Sequence, residues 1–418
     1  MQCGAPPGCV AGRSRLYRLG FVRFVSVMRG GHTTILGSRS SFWVRRRRGG
    51  LDFRVSSSTV SAVSSRREST DVFPESYHQM LCPPVAEPPF ESPAELERVW
   101  GERWGSVDEV GTLRSVLMRR PARELEQIRA DAWNPAAQAL VDPNGGWYWE
   151  SEHPPDVPLV ARQHEGLVAA LKGEGVQVYF AEPLEERFTK AIYTRDPLIS
   201  VPGGVIVGRL APLMRRGEER SITQAVGSLG VPILRTITGT GLLEGGSFAK
   251  LTPRVAAFGT SIRCNDEAAS QLAETLKWLG IDLIVVPMSG YSIHLDGHFG
   301  MVDVDKALVD PTGLPHWFLG KLAELGIESI WCHPEEEWAI NSLAVRPGRV
   351  LMSAANPRTA ERLERRGVEV VPLPYNEIQK NGGGIHCSTM ELRRDPAEDL
   401  PLLGSVDAVP ADAPTSAP

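Results

Sequence analysis

The chain has no CxxC pair. Its six cysteines stand at 3, 9, 82, 264, 332 and 387. That scatter argues against a disulfide framework and a thiolate zinc site, and it suits a reducing compartment. No run of about 18 apolar residues occurs, which excludes a membrane-spanning helix. Positive charge is not in excess: 45 Lys and Arg stand against 50 Asp and Glu, a formal net charge of −5. The whole chain is therefore not a polycation seeking nucleic acid or anionic lipid. There is no P-loop GxxxxGK[ST] and no GxGxxG after the first strand-like segment, so a nucleotide cofactor has no support. What remains is 418 residues, 42% hydrophobic and 23% charged, close to a soluble globular average. The 41 Gly and 33 Pro fit many short elements joined by tight turns.

Residues 1–70 differ from the rest. They hold thirteen Arg and no Lys, with Asp52 and Glu68 as the only acids, and Arg45 to Arg48 form a basic run. Three readings compete: an organelle transit peptide, a spurious or disordered leader, and a basic nucleic-acid arm. Residues 71–98 are Pro- and Glu-rich and read as a linker. The stretch 395–418 is rich in Pro, Ala and Asp and reads as a disordered tail. The expected organisation is thus a leader and linker over 1–98, one catalytic domain over 99–394 and a tail. The expected location is cytoplasmic, or organellar if the leader is a transit peptide.

Within 99–394, short apolar runs alternate with helical patterns. Strands are expected at Leu113–Met118, Val176–Phe180, Val205–Val207, Val255–Phe258, Leu283–Pro287, Ala307–Val309, Ser329–Cys332, Val350–Met352 and Val368–Leu373. Helices are expected over Leu159–Gly173, over Asp266–Leu279 behind an Asn265 cap, and over Pro357–Arg366. The fold class is α/β, with a recurring unit of roughly 50–60 residues. A doubly wound sheet and a closed ring of small αβ units both give that pattern.

Four segments concentrate polar residues where a core would not want them: Tyr193-Thr-Arg-Asp-Pro197, Leu243-Glu-Gly-Gly-Ser-Phe248, Ser292-Ile-His-Leu-Asp-Gly-His298 and Asn381-Gly-Gly-Gly-Ile-His-Cys-Ser-Thr389. Three glycines before Cys387 permit unusual backbone and close approach of a ligand. The plainer reading is a glycine-rich loop with an incidental thiol. On a strand, His294, Asp296 and His298 would point one way. They would then serve acid–base chemistry, hold a metal, or simply be satisfied polar groups. Glu244 and Asp196 are weak signals alone. Taken together, Cys387 with His294 offers a nucleophile and a base. Asp196, Glu244 and Asp296 add carboxylates that would suppress a thiolate. That surplus suits a substrate carrying its own positive charge, and a planar guanidinium pairs with carboxylates in bidentate fashion.

In this order, Thr-Arg-Asp-Pro, Glu-Gly-Gly, His-Leu-Asp and Gly-Gly-Gly-Ile-His-Cys-Ser-Thr resemble the motifs of the guanidino-group-modifying enzyme superfamily. That group includes arginine deiminase, dimethylarginine dimethylaminohydrolase and the amidinotransferases. Asp108 to Pro121 also looks like its first strand, and the resemblance covers about 99–394. It implies a five-bladed αβ propeller (pentein). It implies Cys387 as nucleophile, His294 as acid–base, Glu244 as the group orienting that histidine, and Asp196 with Asp296 as the guanidinium grip. No metal and no cofactor are implied.

An amino-acid substrate also needs its carboxylate held. Arg209, Arg215, Arg216 and Arg263 are the candidates, with Arg215 and Arg216 on a loop that would close over the site. Ser247 departs from the deiminases, which usually carry Asp there, and His386 brings the cysteine loop nearer to the amidinotransferases. The expected function is hydrolysis of the guanidino group of arginine or a methylated arginine. The alternatives are amidino transfer to an amine and a non-catalytic guanidino-binding module. The expected partner is a small guanidino compound, with no nucleic acid and no membrane. A homodimer is the default assembly.

Overall fold

The computed structural model describes residues 90–397, and the backbone of 20–29, 32–47 and 50–57. The chain divides into two compact units, Met1–Pro84 and Val85–Pro418. In the first, β1 (Gly20–Arg29), β2 (His32–Arg47) and β3 (Gly50–Ser57) pair antiparallel. Regular strands therefore occur in the basic leader, where the sequence shows no clean alternation. The readings of the rest of the leader, most of the linker and all but the first residues of the tail fall outside the described residues.

The second unit opens with α1 (Pro93–Trp100), six residues ahead of the expected start. Ser92 Oγ accepts from the Glu95 N–H, Pro93 sits at the first helical position, and Gly101 at φ 85° ends the helix. Pro93, Glu95 and Glu97, which read as linker composition, thus belong to a capped helix.

Seven three-stranded sheets occur among the described residues, and five share one build. In chain order the elements are β4 (Leu113–Met118), the small sheet β5 (Trp133–Asn134), β6 (Ala139–Val141) and β7 (Tyr148–Trp149), α2 (Val157–Gly173) and β8 (Gln177–Phe180). Then follow β9 (Leu198–Val201), β10 (Gly204–Val207), α3 (Glu218–Leu229) and β11 (Ile233–Thr236). Next come β12 (Phe248–Thr252), β13 (Val255–Thr260), α4 (Asp266–Trp278) and β14 (Asp282–Pro287). After these lie β15 (Phe299–Asp303), β16 (Lys306–Val309), α5 (His316–Glu324) and β17 (Glu328–Trp331). The last are β18 (Leu343–Arg346), β19 (Arg349–Ser353), α6 (Pro357–Glu364), β20 (Glu369–Leu373), α7 (Asn376–Gln379) and β21 (Met390–Arg394).

Each repeat is a hairpin, a helix and a third strand. In β9–β10–α3–β11, β10 pairs antiparallel with β9 and parallel with β11. The helix is what permits the parallel pairing, because parallel neighbours need a crossover. The next three repeats are the same. The fifth sheet joins the ends of the fold: β21 pairs antiparallel with β4, which pairs parallel with β8.

The crossover helices follow from local chemistry. Asp156 caps α2 by accepting from the Leu159 N–H, and Val160, Leu167, Val168 and Leu171 bury one stripe. Asn265 caps α4 in the same way through Ala268. The apolar packing is native-like in scale: Trp149, Phe258, Phe299 and Phe318 are fully enclosed. Truncating one such ring to Ala costs about 3–5 kcal/mol. No helix among the described residues is long and apolar enough to cross a membrane.

Candidate active site

The strands β9, β12, β15, β18 and β21 each form one edge of their sheet, and β21 touches β9 as β15 touches β12 and β18. The residues just before these five strands enter one region. Asp196 precedes β9, Glu244 precedes β12, His294 and Asp296 precede β15, Asn341 precedes β18, and Cys387 precedes β21. The positions 196, 244, 294, 341 and 387 are 48, 50, 47 and 46 residues apart. The repeat thus carries a side chain to the same place five times. The sequence reading took four of the five. Asn341 was missed, although the spacing alone marks it.

A cavity of about 640 Å³ opens over these residues. Asp196, His294, Asp296, Asn341 and Cys387 line it together with Arg215 and Arg263. The walls include Tyr148, which follows from the β5–β7 insertion, and Trp338, whose backbone is left-handed at φ 61°. That conformation is uncommon for a bulky residue and marks a segment held by its surroundings. The Asn341 N–H closes the same turn on the Trp338 carbonyl.

His294 Nε2 lies 2.7 Å from Glu244 Oε2. Its Nδ1 faces Asp196 Oδ1 at 3.7 Å and Asp296 Oδ1 at 3.8 Å. Burial alone would discharge the imidazole, but Asp196, Glu244 and Asp296 outweigh it and raise its pKa. Glu244 is itself fully buried; against that burial, His294 and Arg263 (3.3 Å away) hold its pKa down to about 2. Gly246 makes the approach possible: a Cβ there would sit 2.7 Å from His294 Nδ1.

The thiol has its own frame. Asn341 Nδ2 donates to Cys387 Sγ at 3.0 Å and to Asp296 Oδ2 at 3.2 Å. The Cys387 N–H donates back to Asn341 Oδ1 at 3.0 Å. Cys387 Sγ lies 3.5 Å from Asp296 Oδ2, and His386 Nδ1 pairs with that same oxygen at 2.8 Å. Burial, and then the charges of Asp296 and Asp196, push the Cys387 pKa well above the ordinary thiol range. Asp296 stays below the usual carboxylate range despite burial, chiefly through His386. Gly384 leaves room for the amide, since a Cβ there would lie 2.7 Å from Asn341 Oδ1.

Asp196 gives one oxygen to the Arg215 guanidinium, while its Oδ1 is buried and accepts no hydrogen bond among the described residues. A buried acceptor without a donor is rare and calls for an explanation.

Several expectations need correction. His294, Asp296 and His298 do not alternate along a strand. Leu295–Gly297 is a single tight turn ahead of β15, so His298 is carried away to Asp310, at 2.8 Å. The grouping of metal-ligating side chains found among the described residues is instead Asp196, Glu244 and His294, within 4.8 Å of one another. The cations Arg215 and Arg263 already sit on its two carboxylates, which opposes a further dication. Arg215 offers no unpaired guanidinium to a substrate carboxylate. It is buried, and its fork holds Glu218 at 2.8 and 3.0 Å as well as Asp196. Arg209 and Arg216 stand outside the cavity lining and donate to the carbonyls of Gly241 and Leu210. Of the four arginines, Arg263 keeps a partly exposed guanidinium in the cavity. Ser247 is fully buried and outside the lining, so an Asp at that position is not what this cavity lacks. Cys264 is enclosed behind Glu244, where burial pushes its pKa up to about 12.

Known proteins share this architecture. An amidinotransferase of the saxitoxin pathway from Microseira wollei superposes with a TM-score of 0.56 at 15% identity, over 71% of this chain and 98% of that one. Dimethylarginine dimethylaminohydrolase of Pseudomonas aeruginosa is 27% identical over 238 residues, 57% of this chain and 90% of its own length. Arginine deiminase of Oenococcus oeni is 26% identical over 253 residues, 49% of this chain and 61% of its own length. Fold and relatives together define a member of the guanidino-group-modifying (pentein) superfamily. Within it, residues 158–394 match the family model described as N,N dimethylarginine dimethylhydrolase, eukaryotic, and the chain belongs to that family.

Proposed function

We propose that this chain is a hydrolase of the guanidino group of arginine or a methylated arginine, working through a covalent intermediate on Cys387. Its products would be a citrulline-like amino acid and ammonia or an amine. We further read the five like sheets as the blades of a closed αβ propeller with the cavity at its axis. The observation that carries the functional reading is that Cys387, His294 and the carboxylates of Asp196 and Asp296 line one cavity, with Glu244 buried behind His294.

The substrate guanidinium lies between Asp196 and Asp296, and its N–H groups fill the open Asp196 Oδ1. Its charge offsets the two carboxylates that hold the thiol protonated, so binding favours the thiolate. Sulfur attacks the guanidinium carbon while Asn341 holds it by an N–H donor. His294, whose pKa its three acidic neighbours raise against burial, gives a proton to the departing nitrogen from the Nδ1 side as the C–N bond breaks. The neutral imidazole then takes a proton from water, which attacks the amidino carbon and releases the sulfur. Glu244 fixes the tautomer and ring orientation from the Nε2 side. Arg263 receives the substrate carboxylate.

Transfer to an acceptor amine shares the first half of this course. His386 favours that second reading, because it brings the Gly-Ile-His-Cys-Ser-Thr loop nearer to the amidinotransferases than to the deiminases. One experiment separates the readings. The purified protein is incubated with arginine, methylated arginines, agmatine and guanidinoacetate, with and without glycine or ornithine, and products are weighed by mass spectrometry. Citrulline or its analogue without an acceptor supports the hydrolase. Product only with an acceptor replaces it by the transferase. Binding without turnover in either case leaves a binding module.

A further inference from the structure

His298 and Ser292 line the cavity, yet the chemistry above uses neither. Ser292 Oγ is 3.2 Å from His298 Nε2, and His298 Nδ1 is 2.8 Å from Asp310 Oδ2. The other Asp310 oxygen accepts from the Thr312 N–H at 3.0 Å and from Thr312 Oγ1 at 2.7 Å, which fixes the carboxylate. An aspartate on Nδ1 selects the tautomer whose Nε2 is free to accept the serine proton. The ring is seated against Gly313, where a Cβ would fall 2.1 Å from Nδ1. Ser292 is half-buried rather than sealed in the core. The N–H of Ile293, the residue after the serine, meets no acceptor among the described residues.

We propose that Ser292, His298 and Asp310 form a second nucleophilic centre in this cavity, an acyl-transfer site for esters of a cationic, arginine-like acid. The three roles that geometry must supply are present: a nucleophile bonded to a base, a base bonded to its orienting carboxylate, and an adjacent N–H for the developing oxyanion. Ser292 Oγ attacks the ester carbonyl and its proton passes to His298 Nε2. The C–O bond to the alcohol breaks, and the alcohol leaves with that proton. Water, deprotonated by His298, then cleaves the acyl-serine and returns the free acid. The acyl group follows from position. Ser292 is two residues from His294, so at most about 7 Å of backbone separates them. That is comparable to the length of an arginine side chain. A guanidinium held at Asp196 and Asp296 would bring its ester to Ser292. This choice of acyl group rests on the guanidino reading, whereas the triad itself does not.

The test uses the full chain carrying Cys387→Ala, so that no thiol can be acylated in place of the serine. It is treated with a fluorophosphonate and mapped by peptide mass spectrometry. It is also assayed with p-nitrophenyl acetate and with the methyl esters of arginine and norleucine. The proposal expects phosphonylation at Ser292 and faster hydrolysis of the arginine ester than of the norleucine ester. Ser292→Ala abolishes both labelling and turnover, and His298→Gln lowers turnover about 100-fold, as loss of a general base does. No adduct at Ser292, or hydrolysis indifferent to Ser292→Ala, overturns the proposal; a hydrogen-bond network that merely pins the turn gives that result. Labelling at Ser292 with no preference for the arginine ester overturns the acyl group while sustaining the triad; the guanidino reading is overturned separately, by absence of product from the free guanidino compounds. Because the adduct is mapped in a chain with Ser292 intact, a misfolded Ser292 variant does not mask the answer.

Discussion

Lys250, Glu391, Arg394 and Glu109 form one buried ionic cluster, and Asp196, Glu244, Asp296, His294 and Cys387 form another. Apart from Glu109, which precedes β4, both draw on edge strands or the turns leading into them. They differ in completion. Glu391 Oε1 accepts from Lys250 Nζ at 2.7 Å and from Ser106 Oγ at 2.8 Å, and Oε2 takes the Arg394 guanidinium. Lys250 also reaches the Ser200 carbonyl at 3.1 Å and Glu109 at 3.1 Å, and Arg394 reaches the Gly111 carbonyl at 2.8 Å. Against burial, Lys250 and Arg394 drive the Glu391 pKa well below its ordinary value. Two cations meet two anions and each finds its partners. The second cluster leaves Asp196 Oδ1 without a donor and holds its thiol protonated. A closed network of charge is architecture; an open one of equal burial is poised for a ligand.

The largest break in that comparison is Cys387→Ala. It should cut turnover about 10⁴-fold or more while guanidino ligand binding, read by calorimetry, survives. Residual activity above a few per cent would end the role given to the sulfur. Lys250→Met should do the reverse. It removes one of the two cations on the buried Glu391 carboxylate, leaving Arg394, and costs about 3 kcal/mol in urea unfolding, with turnover per folded molecule kept. A variant as stable as the parent, or one folded and inactive, would erase the distinction between the two clusters.

A finer cut lies inside the open cluster, where two neighbours of the thiol should act with opposite sign. Asp196 raises the Cys387 pKa and the Asn341 N–H lowers it. Asp196→Asn should therefore lower that pKa. More thiolate would be present at pH 7, and the ligand-free enzyme should be alkylated by iodoacetamide faster. Asn341→Ala should raise the pKa and slow alkylation. A shift of one unit either way is about tenfold in rate at fixed pH. Turnover of the guanidino substrate should fall in both variants, so alkylation and catalysis part company only in Asp196→Asn. If both variants alkylate in the same direction, the electrostatic account of the thiol fails.

The same division explains what could be read without the fold. All nine expected strands and all three expected helices exist, because they are apolar runs and capped amphipathic stretches. Besides β1–β3 in the leader and the small β5–β7 sheet, the strands not foreseen were the edge strands β9, β12, β15, β18 and β21 and the outer β11. In β12 and β21, Lys250, Glu391 and Arg394 read as solvent-facing residues that break an apolar run, yet tertiary pairing buries them. The tiny strands of the β5–β7 insertion carry too few residues for any periodicity. In the site, residues with their own chemistry were legible, and Cys387, His294, Glu244, Asp196, Asp296 and Arg263 do converge. Asn341 has a side chain that signals nothing alone; its position one repeat after His294 and one before Cys387 was the available clue. Arg215 was legible as a cation but not as a buried one, since its partners Asp196 and Glu218 come from either side in sequence.

The smallest test asks whether the closed cluster is closed by sum or by each member. Ser106 Oγ is buried and lies 2.8 Å from Glu391 Oε1 and 3.2 Å from Ser200 Oγ. Ser106→Ala removes one neutral donor from a carboxylate that keeps both of its cations. The expected loss is about 1 kcal/mol, within the usual range for one hydrogen bond, read as a lower urea midpoint at unchanged slope. Turnover should not move, because no cavity residue is touched. A loss approaching that of Lys250→Met would mean that Glu391 depends on every donor it has. The closed cluster would then be as finely balanced as the open one, and saturation alone would not set architecture apart from site.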